Sequence, residues 1–380
     1  MPIAFRRALC LPVLSLSLIT VAVGQSQTAS KDFAAALVKL QSEAEQDQLI
    51  AQKPELIDDS LMAALKSLAE PIVQKGDYNE GLRISNLALR IAEKSGDRKR
   101  VGHALCEIGD IYGRRNPPKE AETYLKKCLS IFDETGDKQG QAQALHSLGY
   151  TYDTERRHEL AVEYYDKSLA LAQETGDKKL TALSFNSLGL AHTSLGHYEA
   201  GLEFYFKARA LSEEIGDKST LNMALNNIGT RYLAQGRYGE ALVYLNKSLA
   251  VIQEMGESKD RRSLAYKYQN IGLVYRRQGR LEQALAYSRK SLDILVEIDD
   301  KFGIANLQNN IGVIYKSQGQ YEEGLEYFRK AFANYEALKA TPGGSGCSGT
   351  SRRDWRASAN ASSKSVRAWA RSPALRSRLL

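Results

Sequence analysis

The chain has 380 residues, 43% of them hydrophobic and 26% charged, a composition that excludes collagen-like and wholly disordered proteins. Its formal charge of +7 resides in residues 341–380, where seven Arg and Lys364 face a single acid, Asp354. Residues 1–340 are neutral, so the charge balance gives no sign of a nucleic-acid or anionic-membrane surface on the folded part.

The N-terminus has the layout of a secretory leader: Arg6 and Arg7, an apolar run from Ala8 to Val23, and small residues Ala22-Val23-Gly24 ahead of Gln25. Sixteen apolar residues are short for a membrane span, so 1–24 is read as a cleaved signal peptide and the mature protein as exported, periplasmic or extracellular. Cys10 leaves with the leader. The remaining Cys106, Cys128 and Cys347 are too few for a disulfide framework. Residues 25–57, with Ala34-Ala35-Ala36-Leu37-Val38 and Glu43 to Ala51, predict one or two helices that cap the apolar end of the first of a series of repeated units.

From residue 58 to residue 339 the sequence repeats. Loops at Ser95-Gly96-Asp97, Thr135-Gly136-Asp137, Thr175-Gly176-Asp177, Ile215-Gly216-Asp217, Met255-Gly256-Glu257 and Ile298-Asp299-Asp300 are spaced by 40, 40, 40, 40 and 43 residues. A second series, Gly109, Gly149, Gly189, Gly229, Gly272 and Gly312, keeps the same intervals, and the three extra residues fall in the loop around Glu257 to Arg262. Seven units result, each predicted as two helices. In the fifth, Leu221–Ala234 and Tyr238–Glu254 flank Gln235-Gly236-Arg237, and Leu242, Leu245, Leu249 and Ile252 share one helical face. The loop glycines, Gly256 included, suit left-handed helix caps, and the Asp after Gly suits the cap of the next helix.

Columns of small residues have a packing reason. The Gly109–Gly312 series and the column Gly81, Ala121, Ala161, Gly201, Ala241, Ala284 and Gly324 let the two helices of a repeat approach closely. A third column, Ala88, Cys128, Ser168, Ala208, Ser248, Ser291 and Ala331, is expected to meet the following repeat. Large fillers alternate with them: Tyr112, Tyr152, His192, Tyr232, Tyr275 and Tyr315 in first helices, Tyr124, Tyr164, Phe204, Tyr244, Tyr287 and Tyr327 in second helices.

Leu225-x-x-Ile228-Gly229-x-x-Tyr232, followed by Ala241-x-x-x-Leu245 and Ser248, resembles the tetratricopeptide repeat. Lapses occur at Gln308, His192 and Ser288. The 40-residue period is most similar to the longer repeats of kinesin light chains and bacterial signalling proteins; HEAT and armadillo repeats share the period and lack the Gly, Ala and Tyr columns. The resemblance implies an all-α fold, a right-handed α-solenoid of seven helix-turn-helix repeats.

Beyond Ala340, Pro342-Gly343-Gly344-Ser345-Gly346 ends the pattern. Residues 340–380 change composition abruptly, with nine Ser, seven Arg and both tryptophans, Trp355 and Trp369. They are read as a basic disordered tail and as the product of an out-of-frame reading, rather than as a basic amphipathic helix.

No constellation for catalysis or metal binding is found: the five histidines lack an H-E-x-x-H setting, no C-x-x-C pair exists, and the Gly343–Gly349 stretch lacks the ending of a phosphate loop. No cofactor is expected. The informative polar set is Asn186, Asn226, Asn227, Asn270, Asn309 and Asn310, each two or three residues before the repeat glycine, because Asn is a mediocre helix former and its recurrence inside helices needs a reason. The resemblance places first helices on the concave face, where Asn can hold a peptide backbone; Asn226-Asn227-Ile228-Gly229 and Asn309-Asn310-Ile311-Gly312 are similar to the Asn-Asn-Leu-Ala of the kinesin light chain groove. Alternatively these amides form a ladder between neighbouring helices. The groove is preferred, weighted to repeats four through seven, with Tyr266, Arg276, Arg277 and Lys316 beside the amides and an acidic segment or terminal carboxylate as complement.

The function expected on these grounds is a non-catalytic exported scaffold for a peptide or protein ligand; the alternative is the sensory half of a larger signalling enzyme or caspase-like protease. Mass spectrometry of the mature protein should find Gln25 at the N-terminus, and a protein beginning at Met1 in the cytoplasm would contradict the leader.

Overall fold

The computed structural model describes residues 28–115, 118–256 and 261–340. The expected leader and basic tail lie outside them. Among the described residues every regular element is helical. Residues 28–39 (α1) and Glu43–Gln52 (α2) precede a single turn of 3₁₀ helix, Pro54–Leu56, and then come seven helix pairs. These are Asp59–Gln74 (α3) with Tyr78–Ser95 (α4), Arg98–Arg114 (α5) with Lys119–Thr135 (α6), and Lys138–Thr154 (α7) with His158–Glu174 (α8). Lys178–Ser194 (α9) with Tyr198–Ile215 (α10), Lys218–Ala234 (α11) with Tyr238–Met255 (α12), Arg261–Arg277 (α13) with Leu281–Glu297 (α14), and Lys301–Ser317 (α15) with Tyr321–Ala340 (α16) complete the series. Helices α3 and α4 pack on one another, and from α8 to α16 each helix packs on the next, as in an α-solenoid. No helix among the described residues is long and apolar enough to cross a membrane.

The loop chemistry is local and periodic. Gly216 ends α10 at φ +71°, a conformation that strains any residue with a Cβ, and Asp217 then accepts a hydrogen bond from the Ser219 amide to open α11. Asp177 caps α9 through Leu180 N at 2.9 Å and Asp300 caps α15 through Gly303 N at 2.9 Å. Gly256 departs from the expected left-handed cap: its φ is +94° but its ψ is 115°, so the chain leaves α12 extended.

Within each repeat the two helices touch at their small residues. A Cβ on Gly189 would lie 3.0 Å from the carbonyl oxygen of Gly201, and one on Gly201 only 2.9 Å from that of Gly189. The expected filler pairs form: Tyr112–Tyr124, Tyr232–Tyr244, Tyr275–Tyr287 and Tyr315–Tyr327 have ring centroids 5.3 to 5.5 Å apart. The serine column adds hydrogen bonds that the sequence did not show. Ser168, Ser248 and Ser291 donate to the backbone carbonyls of Ala142, Asn222 and Ala265, 26 residues earlier in the first helix of their own repeat; only Ser168 also reaches the following repeat, through Ser184 Oγ at 3.4 Å. A buried hydroxyl needs a partner, and the first-helix carbonyl row is the nearest acceptor.

The chain divides into two compact units, Met1–Gly113 with Lys119–Gly140, and Arg114–Pro118 with Gln141–Leu380. In the first, α1 and α2 lay Phe33, Ala34, Leu37 and Ile50 against Leu61, Leu65, Ile84 and Ile91 in one buried cluster, so repeat one is covered by apolar side chains. The cysteines depart from expectation: Cys106 on α5 and Cys128 on α6 form a disulfide, with their Cα atoms 5.4 Å apart. Within the repeat columns, Cys128 takes the place of the bonded serines and Cys106 lies on the first-helix face that they approach. A cross-link over a sequence separation of 22 removes unfolded-state entropy that corresponds to about 3 kcal/mol. Dithiothreitol should therefore lower the melting temperature of the wild type by several degrees and leave a Cys106→Ala/Cys128→Ala variant unmoved; equal melting curves for the wild type in both conditions would show that the pair is not bonded.

Candidate functional site

Four first helices of the second compact unit, α7, α9, α11 and α13, are linked side by side through a series of polar contacts. His146 Nε2 lies 3.0 Å from Ser187 Oγ. Asn227 Nδ2 donates to Asn186 Oδ1 at 3.0 Å, and Asn270 Nδ2 to Asn226 Oδ1 at 3.0 Å. Each contact joins the residue two before a repeat glycine to the residue three before the glycine of the preceding repeat. Asn226 and Asn227 connect successive rungs at 3.5 Å. The amides are therefore engaged laterally, and Asn186 is buried. Each rung uses one N–H of its donor amide, so a second N–H remains on Asn227 and on Asn270. Burial pushes the pKa of His146 down to about 4, which keeps that rung uncharged near neutrality.

The next rung would pair Asn310 with Gln269, and no bond joins them. Both residues, with Arg276, Leu273 and Ser288, line a narrow gap of about 10 Å³ between α13 and α15. Gln269 Oε1 is buried there without a hydrogen-bond partner. Gln269 was missed in the sequence because it stands where the other repeats carry the Asn that attracts attention. Asn309 is half-buried on α15, whereas Tyr266, Arg277 and Lys316 are exposed and Arg276 is half-buried. Two further residues absent from the sequence expectation, Tyr150 and Leu190, occupy the position just after the repeat glycine on α7 and α9 and are 43% exposed each.

Charge is segregated between the two helix sets. The five first helices carry twelve Lys or Arg and one acid, Asp153; their partners α8, α10, α12, α14 and α16 carry seventeen acids. Part of the basic excess is neutralised at helix starts, where Lys178 meets Glu214, Lys218 meets Glu254, and Arg261 meets Glu297. Arg262 meets Asp300 at 3.1 Å and Lys301 meets Asp299 at 3.7 Å. Arg231 lies over the Tyr198 ring at 4.3 Å. Among the described residues no carboxylate pairs with Arg276 or Arg277; burial, and the charge of Arg277, hold the Arg276 guanidinium below its ordinary pKa.

Two other features are self-contained. His192 Nδ1 faces His197 Nδ1 at 3.5 Å, at the turn where other repeats place Arg157, Arg237 and Arg280 over Tyr152, Tyr232 and Tyr275. Among the described residues no group of three His, Cys, Asp or Glu is placed to hold a metal ion. In the first compact unit a cleft of about 370 Å³ between α3 and α5 includes Asp59, Lys66, Arg100, His103 and Glu107. Its charges pair internally, Arg100 with Asp59 at 2.8 Å and Lys66 with Glu107 at 3.2 Å.

The ladder can be measured as a coupling. A double-mutant cycle of Asn186→Ala and Asn227→Ala, read by chemical denaturation, should give an interaction energy of about 0.5–1.5 kcal/mol, free of the helix propensity that each Ala adds separately. Zero coupling would remove the rung.

Among curated proteins none is recognisably similar in sequence. Solved structures are similar in fold. BtubC (BKLC) from P. vanneervenii shares 20% identity over 58% of this chain and 92% of that one, with a TM-score of 0.51. A Rap protein complexed with competence and sporulation factor shares 15% identity over 79% and 82% of the two chains, at a TM-score of 0.57. A signal-transduction ATPase with a tetratricopeptide repeat sensor from Pyrococcus horikoshii shares 17% identity over 81% of this chain and 50% of that one, also at 0.57. The sequence pattern of the tetratricopeptide repeat matches residues 60–134, 104–174, 140–214, 180–254 and 261–337. With helix pairs, glycine contacts and aromatic columns in register with those matches, the chain belongs to the tetratricopeptide repeat family.

Proposed function

We propose that this protein is an exported, non-catalytic scaffold that binds a peptide or protein segment along the first helices of repeats four through seven, with a preference for acidic ligands. The observation that carries the reading is the charge segregation, which leaves Arg276 and Arg277 unpaired by any described carboxylate on a face that also carries the amides of the ladder. An unpaired, partly desolvated guanidinium gains most from a carboxylate, because a charge-assisted bond is about twice as strong as a neutral one. The second N–H groups of Asn227 and Asn270 can hold a ligand's backbone carbonyls while the ladder keeps the amides fixed, which lowers the entropy lost on binding. Asn309, Asn310, Tyr266 and Lys316 extend the same face onto repeats six and seven. The Cys106–Cys128 disulfide supports export, since such bonds persist in oxidising compartments.

The test is a panel of immobilised synthetic peptides, matched in length and either acidic, neutral or basic. Acidic peptides should be retained best, and Arg276→Glu/Arg277→Glu should weaken their retention by roughly tenfold or more with the melting temperature unchanged, because neither arginine holds an ion pair in the fold. Equal retention of basic peptides, or retention indifferent to the charge reversal, would overturn the reading.

A further inference from the structure

The polar ladder has a regular rule and one exception. Three successive contacts obey the rule, Ser187 to His146, Asn227 to Asn186, and Asn270 to Asn226. At the fourth the partners are present and unjoined: Asn310 and Gln269 line the same gap between α13 and α15. A buried amide oxygen without a partner costs about 1–3 kcal/mol, and proteins keep such groups sparingly. The two preceding repeats carry a shorter Asn at the equivalent position, Asn186 and Asn226, so the longer side chain of Gln269 is a local departure. Beside it stands Arg276, lining the same gap and unpaired by any described carboxylate. The three groups present an acceptor, Gln269 Oε1; a neutral donor, the Asn310 amide; and a charged donor, the Arg276 guanidinium.

We propose that this open rung is the specificity-determining contact of the groove and that it reads a single acidic residue of the bound peptide. The proposal rests on the acidic-peptide reading above and adds to it a position and a residue, Gln269. The complement is one Asp or Glu in an extended chain: its backbone N–H donates to Gln269 Oε1, its carbonyl accepts from the Asn310 amide, and its carboxylate accepts from Arg276. The gap has room for no more than about one water-sized group, so the peptide backbone lies at its mouth and does not bury a side chain in it. The ligand thereby completes the series that the fold leaves unfinished, with the same donor-to-acceptor chemistry as the rungs before it.

The experiment uses the full chain and a minimal probe, N-acetyl-aspartate N-methylamide, followed by the side-chain NMR signals of Gln269, Asn310 and Arg276. All three should shift saturably with this probe. Sodium acetate should move Arg276 alone, and N-acetyl-asparagine N-methylamide should move Gln269 and Asn310 roughly tenfold less at equal concentration. Gln269→Leu should abolish the response of Asn310 and leave the melting temperature equal or higher, because it deletes an unsatisfied buried acceptor. A fall in melting temperature would show that Gln269 is already bonded in the free protein, and unmoved Gln269 and Asn310 signals would show that only charge is read; either overturns the open rung. Acidic peptides retained by the Gln269→Leu variant as by wild type would also overturn it while leaving the broader binding reading intact. Loss of all acidic-peptide retention by the wild type, with the probe still shifting the three signals, would instead remove the broader reading and keep the site.

Discussion

The architecture depends on one steric constraint, the close approach of the two helices inside each repeat. At Gly189 and Gly201 the approach is backbone to backbone, each Cα facing the other residue's carbonyl oxygen too closely for a Cβ; Gly312 and Gly324 repeat it, with 3.1 Å left for a Cβ on Gly312. A large side chain also fills against the glycine in most repeats, Leu125 on Gly109, Tyr165 on Gly149, Tyr205 on Gly189, Leu245 on Gly229 and Phe328 on Gly312. The contact sets how deeply the second helix lies against the first. That depth brings Ser168, Ser248 and Ser291 within reach of first-helix carbonyls 26 residues back, and brings successive first helices close enough for Asn186 to meet Asn227.

Polar groups held this way act as register marks more than as a source of stability. An Asn–Asn bond returns little net free energy, because both groups were hydrated before folding. A slip of one residue between neighbouring first helices would leave the buried Asn186 amide unpaired, and the penalty for that exceeds the gain from the bond. The ladder thus narrows the arrangements available to α9, α11 and α13 to one. The same face can receive a ligand without rebuilding, since its donors already point in fixed directions.

Most of the fold was legible in the sequence because it rests on periodic signals. Gly-Asp at a 40-residue interval specifies a helix end and the next helix start together, and the Gly and Tyr columns specify which faces touch. What escaped is the chemistry that depends on the stagger between helices. Nothing in the spacing of Asn226 and Asn227 along one helix says which of them faces the preceding repeat and which the following one. Cys106 and Cys128 were read as a residue count, although Cys128 stands in the small column that approaches the first helix. The hydroxyl partners of the serine column escaped for the same reason: periodicity identifies a buried face and leaves open which of two flanking helices satisfies its hydroxyl. Gln269 escaped because it is polar, unremarkable and surrounded by more conspicuous amides.

In a repeat array, features present in every unit answer to packing, and individuality resides in the departures. Three departures can be compared here. Cys106 and Cys128 replace an ordinary first-helix residue and a small-column residue together, and bond to each other. His192 and His197 replace an aromatic residue and a turn residue together, and face each other at 3.5 Å. Each of these is a matched pair whose chemistry closes within the repeat. Gln269 differs: its substitution lengthens a side chain, its counterpart Asn310 is in place, and its oxygen still ends buried without a donor. A donor supplied from outside the repeat would recover the free-energy cost of that unpartnered oxygen. Arg276, held partly buried beside the same gap without a described counter-charge, carries the same implication for charge that Gln269 carries for hydrogen bonding, so the two point to one ligand residue that is both amide and acid.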